Sequence, residues 1–528
     1  MADPPPTPLA IYQSALAALR QRRGLEHSDA ANYSQLAAHL SRSGRADWAA
    51  EVLALVDRLV TDAQLKFQLA LAYRDVQQME SACRAIDAAA ALAADDANIA
   101  FARAQLYYEA WRPSSALFER AHGLATDNPA LIRNWALALA AEGRDDEARR
   151  LLREQLTLWP TWTDGHLTLT TLLVTGGTES FDESFRQACA AYPENVDLAL
   201  AWFGVLAQAK DYDRAGQILR DANTGVRASL KCRMAEVFLR AETGLELSDK
   251  DLRGPLAQQH DPGYDLCLVR YLLRRGRPDV AEELALRHTA GASQRTFWPY
   301  LSLCWRLRDA DSGRWLEEEG ALIAIDTVEL REPALGRLRD HLRTLFIQRK
   351  PYLEQSVRGG VQTSRNLFCH PDPLIQRLRR DVTEKVNLYR ERLDSNASGH
   401  PLRSFSPERV HFSGAWSVQL RGGGYHTSHT HTQGWLSSAL YVDVPDPATR
   451  GEAPAGYLKF GEPPPELGLH LPPIRQIAPE AGRLVLFPSY YWHGTVPFDA
   501  GERMTVAFDV APGPGATTAG PHAQDTRA

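Results

Sequence analysis

Cysteine is scarce and scattered in this chain. Its six residues (Cys83, Cys189, Cys232, Cys267, Cys304 and Cys369) form no C-x-x-C pair. That spacing argues against a cysteine-built zinc site and predicts free, mostly buried thiols in a reducing compartment. No run approaches the ~20 consecutive apolar residues of a membrane helix. The opening MADPPPTPLA lacks the cationic segment and apolar core of a secretion signal. Nor is there an excess of positive charge: 59 Lys and Arg against 65 Asp and Glu leave a net charge of −6. No basic field is available for nucleic acid or an anionic membrane surface. The expectation is a soluble cytoplasmic protein with neither as a partner. At 528 residues the chain exceeds one ordinary core, so two or more domains are expected.

What is present first is a repeat. "NYSQLAAHLSRSGRADWAAEVLALVDRL" aligns with "QLKFQLALAYRDVQQMESACRAIDAAAAL", "NIAFARAQLYYEAWRPSSALFERAHGL" and "ALIRNWALALAAEGRDDEARRLLREQL". A small residue sits midway through each first helix (Ala37, Ala70, Ala104, Ala136) and early in each second helix (Ala49, Ala82, Ala116, Ala148). Helices of a hairpin, and successive hairpins, approach closely only where side chains are short, with Tyr73, Tyr107 and Leu139 filling the spaces beside them. Gly143 falls in an inter-helix turn and Pro160 where a second helix ends. The period of 33, 34 and 32 residues resembles that of TPR units. The resemblance implies a curved solenoid whose groove holds a protein or peptide partner. The alternative is a groove that only spaces or dimerises the rest. The pattern degrades after about residue 163 but still reads as hairpins to about 322, as in "VDLALAWFGVLAQAKDYDRAGQILRDA".

Beyond that point the text changes period. "LIAIDTVELREP" reads as a strand, "ALGRLRDHLRTLF" and "DPLIQRLRRDVTEKVNLYRERL" as helices. From residue 410, short β-rich runs alternate with Gly and Pro: "VHFSGAWSVQLR", "GYHTSHTH", "GWLSSALYVDV", "GYLKFG", "IRQIAPEAG", "RLVLFPSY", "WHGTVPF" and "RMTVAFDV". Eight such runs predict a double sheet of the jelly-roll, double-stranded β-helix or cupin kind. The overall expectation is a multidomain α+β chain: a tail and first helix (1–25), a TPR-like all-α solenoid (26–322), a jelly-roll domain with flanking helices (323–512) and a disordered tail (513–528). Gly422–Gly424 precede a strand rather than a helix, and so read as a turn or bulge rather than a phosphate loop.

The chemistry concentrates in Tyr425–His431, "YHTSHTH". On a strand, side chains alternate between faces, so His429 and His431 share one side and His426 points away. Two imidazoles two residues apart reach one metal ion, and a third ligand must come from another strand. His493 in "FPSYYWHGTVPF" is the evident supplier. Imidazole suits iron, zinc, copper and nickel, so the ligands alone do not choose the metal. A lone strand histidine is ordinarily a satisfied core or surface residue, and three within seven residues are harder to explain that way; His426, His411 and His470 are expected to be structural or to support the ligands from behind rather than to be ligands themselves. Arg503, ten residues after His493, shares a strand face with Thr505, Ala507 and Asp509. An arginine inside a small barrel needs a partner, and a planar carboxylate matches its fork of donors. Asp509 or Glu502 would be the structural alternatives.

A histidine pair, a distal histidine and a basic residue about ten positions on is the order found in 2-oxoglutarate/iron(II) oxygenases. From "GGVQTSRNLF" (Gly359–Phe368) through "GYHTSHTHTQGWLSSALYV" and "AGRLVLFPSYYWHGTVPF" to "ERMTVAFDV", the chain resembles a bacterial branch of that superfamily often joined to TPR arrays. The resemblance spans roughly residues 355–511. It implies iron(II), 2-oxoglutarate and dioxygen as cofactor and cosubstrates, with His429 and His493 as metal ligands. It also implies Arg503 and Thr505 on the distal carboxylate of 2-oxoglutarate, and Tyr441 as a further donor. The implied activity is a 2-oxoglutarate-dependent dioxygenase, hydroxylating a protein, peptide or small molecule, with succinate as coproduct. The superfamily usually has a carboxylate two residues after the first histidine, and this chain has His431 there. His431 is therefore the expected third ligand. Asp509, Glu462 or a water are the alternatives. Two readings of other kinds follow: a TPR scaffold carrying a non-catalytic metal-binding barrel, and a three-histidine cupin dioxygenase that uses no 2-oxoglutarate.

Overall fold

The structure, a computed structural model, describes residues 8–42, 46–317, 321–353, 355–393, 399–404, 406 and 410–512. The tail from 513, expected to be disordered, lies outside the described residues, as does the extreme N-terminus. The chain forms two compact units. The first is built mainly from Met1–Leu151 and Arg365–Asn387, the second from Leu152–Ser364, Leu388–Ser406 and Phe412 onward.

In the first unit the repeat text folds into antiparallel helical hairpins, among them Ala63–Asp75 with Met79–Leu92 and Ala97–Glu109 with Ser115–Leu124. Their starts are set by side-chain caps recurring with the repeat. Asp62 accepts from the amide of Leu65, Asp96 from those of Asn98 and Ile99, and Asn128 from that of Leu131, ahead of Pro129 at the first helical position. Gly143 supplies the left-handed turn (φ 77°) after Pro129–Ala141. Ala37, Ala70, Ala104 and Ala136 are wholly buried, as are Ala49, Ala82 and Ala148.

The third unit of the repeat corrects one expectation. Ala116 is exposed, and the buried small residue is its neighbour Ser115. With Ser115 in place the second-helix positions recur at a constant interval of 33. A serine fits there because its hydroxyl donates to Glu142 Oε2 at 2.5 Å, so that burying it leaves no unpaired donor.

In the second unit, further hairpins share one compact body with two antiparallel sheets. The strands are β1 (Ala324–Thr327), β2 (Val357–Gln362), β3 (Phe412–His426), β4 (Leu436–Asp443), β5 (Leu458–Phe460), β6 (Arg475–Ile477), β7 (Arg483–Pro488), β8 (His493–Thr495) and β9 (Glu502–Val510). The larger sheet runs β1-β7-β4-β9-β3-β2 and the smaller β6-β5-β8. Mixed α+β architecture and a two-sheet C-terminal domain are thus as expected.

Two details differ. "VHFSGAWSVQLR" and the start of "GYHTSHTH" form one strand of fifteen residues, β3, and "RGGVQ" supplies a partner strand, β2, absent from the expected set. Glycine hid both. Gly423 (φ 79°) and Gly359 (φ 69°) bend the pair without ending it, and the β2–β3 register shifts between Arg358 and Gly360. Among the described residues no helix is long and apolar enough to cross a membrane. All six cysteines are free, four of them buried.

Candidate metal centre

The three candidate ligands are fixed by backbone before any side chain matters. His429 and His493 exchange both amide–carbonyl bonds, His429 N donating to His493 O at 2.9 Å and His493 N to His429 O at 3.0 Å. The amide of His431 donates to Ser489 O at 2.9 Å. This pairing draws the chain away from β3 after His426, which is why the expected strand to His431 stops early. Gly494 makes the approach feasible, since a Cβ there would stand 2.9 Å from His426 O and 3.1 Å from Ser428 N.

The rings then meet. Centroids are 4.2 Å apart for His429 and His493, 5.1 Å for His429 and His431, and 5.0 Å for His431 and His493. One ligand atom from each lies within 4.8 Å of the other two. Every Nδ1 is engaged: that of His429 with Thr427 O (2.8 Å), of His493 with Tyr491 O (3.0 Å), and of His431 with Asp509 Oδ1 (2.7 Å). With Nδ1–H donated to an oxygen, Nε2 is the lone-pair nitrogen each ring offers, the tautomer a metal requires. Burial and the neighbouring imidazoles hold His429 down to about 3 and His493 well below the ordinary histidine range. Both rings are therefore neutral and ready to coordinate at neutral pH.

The alternative carboxylates stand elsewhere. Glu462 pairs with Lys459 at 2.7 Å. Asp509 meets His431 at Nδ1, on the ring edge opposite Nε2, and also accepts from Ser437 Oγ at 2.7 Å. The negative charge missing from the ligand positions is thus held one ring behind them. The expectation for His426 is overturned: its ring lies 6.0 Å from that of His429 instead of pointing away. Ser356 Oγ lies 3.1 Å from His426 Nδ1 and 3.3 Å from His429 Nε2. Strand alternation failed there because the chain leaves β geometry directly after His426. Ser356, Ser437 and Ser489 carried no signal in a single sequence, since serine's small hydroxyl finds partners almost anywhere.

Arg503 occupies the interior beside Tyr441, both nearly inaccessible at 2% and 1% exposure. Nη1 donates to Gly456 O (3.0 Å) and Nη2 to Thr495 Oγ1 (3.2 Å), while Nε and the Tyr441 hydroxyl have no hydrogen-bond partner. Neither structural alternative holds. Glu502 pairs with Arg343 (2.8 Å), Asp509 with His431, and among the described residues no carboxylate forms an ion pair with Arg503. Burial pulls the Arg503 pKa down and pushes that of Tyr441 up. Thr505 stands directly across the β4–β9 ladder from Tyr441. Two donors buried without acceptors beside a histidine cluster fit a small anion entering from outside.

Residues 414–509 match a family model described as "Putative 2OG-Fe(II) oxygenase". The match lies within the sheet domain, covers 96 of the 528 residues, and takes in His429, His431, His493 and Arg503. That family uses iron(II), 2-oxoglutarate and dioxygen, and the donors described above are of the kinds those groups require. No curated protein matches the sequence. Among solved structures, a prolyl-4-hydroxylase of Pseudomonas putida is 14% identical, covering 37% of this chain and 96% of its own, with TM-score 0.26. A prolyl hydroxylase of Trichoplax adhaerens, in complex with a hypoxia inducible factor peptide fragment, is 12% identical, covering 40% and 94%, with TM-score 0.27. PilF of Pseudomonas aeruginosa is 17% identical, covering 43% and 90%, with TM-score 0.25.

Proposed function

We propose that the chain is an iron(II)- and 2-oxoglutarate-dependent oxygenase that hydroxylates its substrate, with the TPR-like repeats recruiting a protein or peptide. The observation carrying this reading is the juxtaposition of three Nε2 atoms, each fixed by an Nδ1 hydrogen bond, with a buried arginine that has no anionic partner. His429, His431 and His493 would hold the metal, which supplies activation of dioxygen for insertion into a C–H bond when bound. Arg503, with Tyr441 and Thr505, would hold the distal carboxylate of 2-oxoglutarate and set its keto end toward the histidines. Bonds to Gly456 and Thr495 take one N–H each from Nη1 and Nη2 and orient the guanidinium, which leaves three of its five N–H donors, that of Nε among them, for the ligand. Asp509 would orient His431 and make it a stronger donor, partly restoring the charge of the more usual carboxylate ligand. Phe487 and Trp416 pack at 4.6 Å from His493 and 5.7 Å from His431, limiting water at the ligands.

A three-histidine dioxygenase without 2-oxoglutarate needs no buried arginine here, and a scaffold barrel gains nothing from leaving one unpaired. The test is an oxygen-free titration of 2-oxoglutarate into protein with iron(II), followed in the visible spectrum. A saturable absorption band, lost in His493→Ala and Arg503→Ala, is expected. Iron bound at one equivalent with no such band would remove 2-oxoglutarate from the reading.

A further inference from the structure

A fourth histidine stands at the cluster without belonging to the three proposed ligands. The backbone of His426 is fixed from the arginine side: its amide donates at 2.9 Å to Thr495 Oγ1, the same oxygen that accepts from Arg503 Nη2 at 3.2 Å. Its ring is fixed from the metal side, lying 6.0 Å from that of His429 at an angle of 22°. His426 therefore spans the interval between the histidine nitrogens and the arginine. Burial above all, then His429 and Arg503, hold its pKa well below the ordinary histidine range, so the ring is neutral and carries a single N–H. Which nitrogen carries that proton decides what the ring can do.

Ser356 makes the choice. Its carbonyl accepts from the amide of Thr427 at 2.9 Å, and its hydroxyl lies 3.1 Å from His426 Nδ1 and 3.3 Å from His429 Nε2. His429 gives its Nδ1 proton to Thr427 O, so its Nε2 is a lone pair that only a donor can satisfy. The Ser356 hydroxyl is that donor, which leaves its oxygen to accept from His426 Nδ1–H. His426 Nε2 is then a second lone pair, without a partner among the described residues, on a ring that is half-buried rather than sealed. Once His429 Nε2 is given to a metal, the hydroxyl loses that acceptor, and the other one within reach is His426 Nδ1.

We propose that His426 is a further cosubstrate-binding residue, armed by Ser356 when the metal site fills. The hydroxyl turns from His429 to His426 Nδ1. The ring proton moves from Nδ1 to Nε2 by exchange with water, with no proton gained or lost overall. Nε2 becomes an N–H donor for the anion whose far carboxylate Arg503 takes, so the site favours metal first and anion second. This assignment rests on the reading of His429 as a metal ligand and of 2-oxoglutarate as the anion.

The test compares two affinities of the full chain: iron(II) alone by oxygen-free chelator competition, and 2-oxoglutarate on the iron-loaded protein by calorimetry. Ser356→Ala keeps the carbonyl bond to Thr427 and removes only the hydroxyl. It is expected to bind iron about 2- to 10-fold tighter, because a competing hydrogen bond is gone, and 2-oxoglutarate about several-fold weaker, because the donor at His426 is no longer set. Loosening of the fold would weaken both, so opposite signs separate this role from a structural one. His426→Phe should lose about 10- to 100-fold in 2-oxoglutarate affinity with iron affinity unchanged. Adding Ser356→Ala to it should then cost no further 2-oxoglutarate affinity. Thermal melts of each variant show that it is folded. Unchanged 2-oxoglutarate affinity in His426→Phe, iron affinity falling in parallel, or a further loss in the double variant would overturn the assignment. A wild type that binds iron but no 2-oxoglutarate would instead overturn the oxygenase reading. Unchanged iron affinity in Ser356→Ala would overturn the part given to Ser356 in either case.

Discussion

The helical hairpins and the barrel interior treat buried charge in opposite ways. Between the helices Leu230–Glu242 and Pro262–Arg274, Glu242 is almost wholly buried, and its carboxylate meets Arg270 at 2.9 Å and Arg274 at 3.1 Å. Asp265, fully buried, meets His288 at 2.8 Å. In the barrel, Arg503 is as deeply buried and faces no carboxylate, and the phenol of Tyr441 beside it has no acceptor. A region that only has to hold its shape pairs its ions internally, because an uncompensated buried charge costs several kcal/mol. A region that binds an anion, as proposed for Arg503, would leave that cost standing until the ligand arrives. The lesson is that an unpaired buried cation marks a site more clearly than a well-paired one.

Removing one partner on the helical side should have the largest effect. Glu242→Leu leaves two arginines facing each other and is expected to cost about 3–5 kcal/mol at pH 7, read by denaturant unfolding. Burial pushes the Glu242 carboxyl up, but the hydrogen bonds and charges of Arg270 and Arg274 outweigh it, so its folded pKa lies below the ordinary 4.5. A carboxyl depressed on folding adds stability that is fully present above pH 4.5 and is lost as pH falls through the lowered value. The gap between wild type and Glu242→Leu should therefore narrow on acidification below that point. A gap constant with pH would break the comparison on the helical side.

On the barrel side, Asp509→Asn removes the charge behind His431 while keeping an acceptor for Nδ1–H. Metal affinity is expected to fall about 10- to 100-fold in chelator competition, with little change in the stability of the metal-free protein. Unchanged affinity would mean that the displaced charge does not reach the metal. The smallest effect should have the opposite sign to Glu242→Leu. Arg503→Met, measured without metal or 2-oxoglutarate, is expected to gain on the order of 1 kcal/mol, because an unpaired buried charge gives way to an apolar side chain of similar length. A loss of stability there would show that Arg503 is compensated in the free protein, and would erase the contrast.

Legibility followed the range of the interactions. Caps such as Asp62, Asp96 and Asn128 and the alanine period are local in sequence, so the hairpins could be read directly, with one slip at Ala116, where a serine of nearly the same volume took the buried position. His429, His431, His493 and Arg503 stood out because residues of those types are rarely grouped without a reason. Less could be read where two segments distant in sequence meet. The fusion of β3 through Gly422–Gly424, the return of His426 toward the cluster and the position of Asp509 behind His431 all depend on contacts across the sheets.

By itself, then, the sequence determined that this chain has a repeat-built helical part and a two-sheet domain carrying three histidines and a distal arginine, since periodicity and residue chemistry are properties of the chain alone. Tertiary structure decided which nitrogen each histidine presents, that Asp509 pairs with His431 Nδ1, that Arg503 has no anionic partner among the described residues, and that Arg295, 136 residues upstream, comes beside His431. Those outcomes depend on which donors and acceptors remain unpaired once the backbone has closed, and only folding settles that.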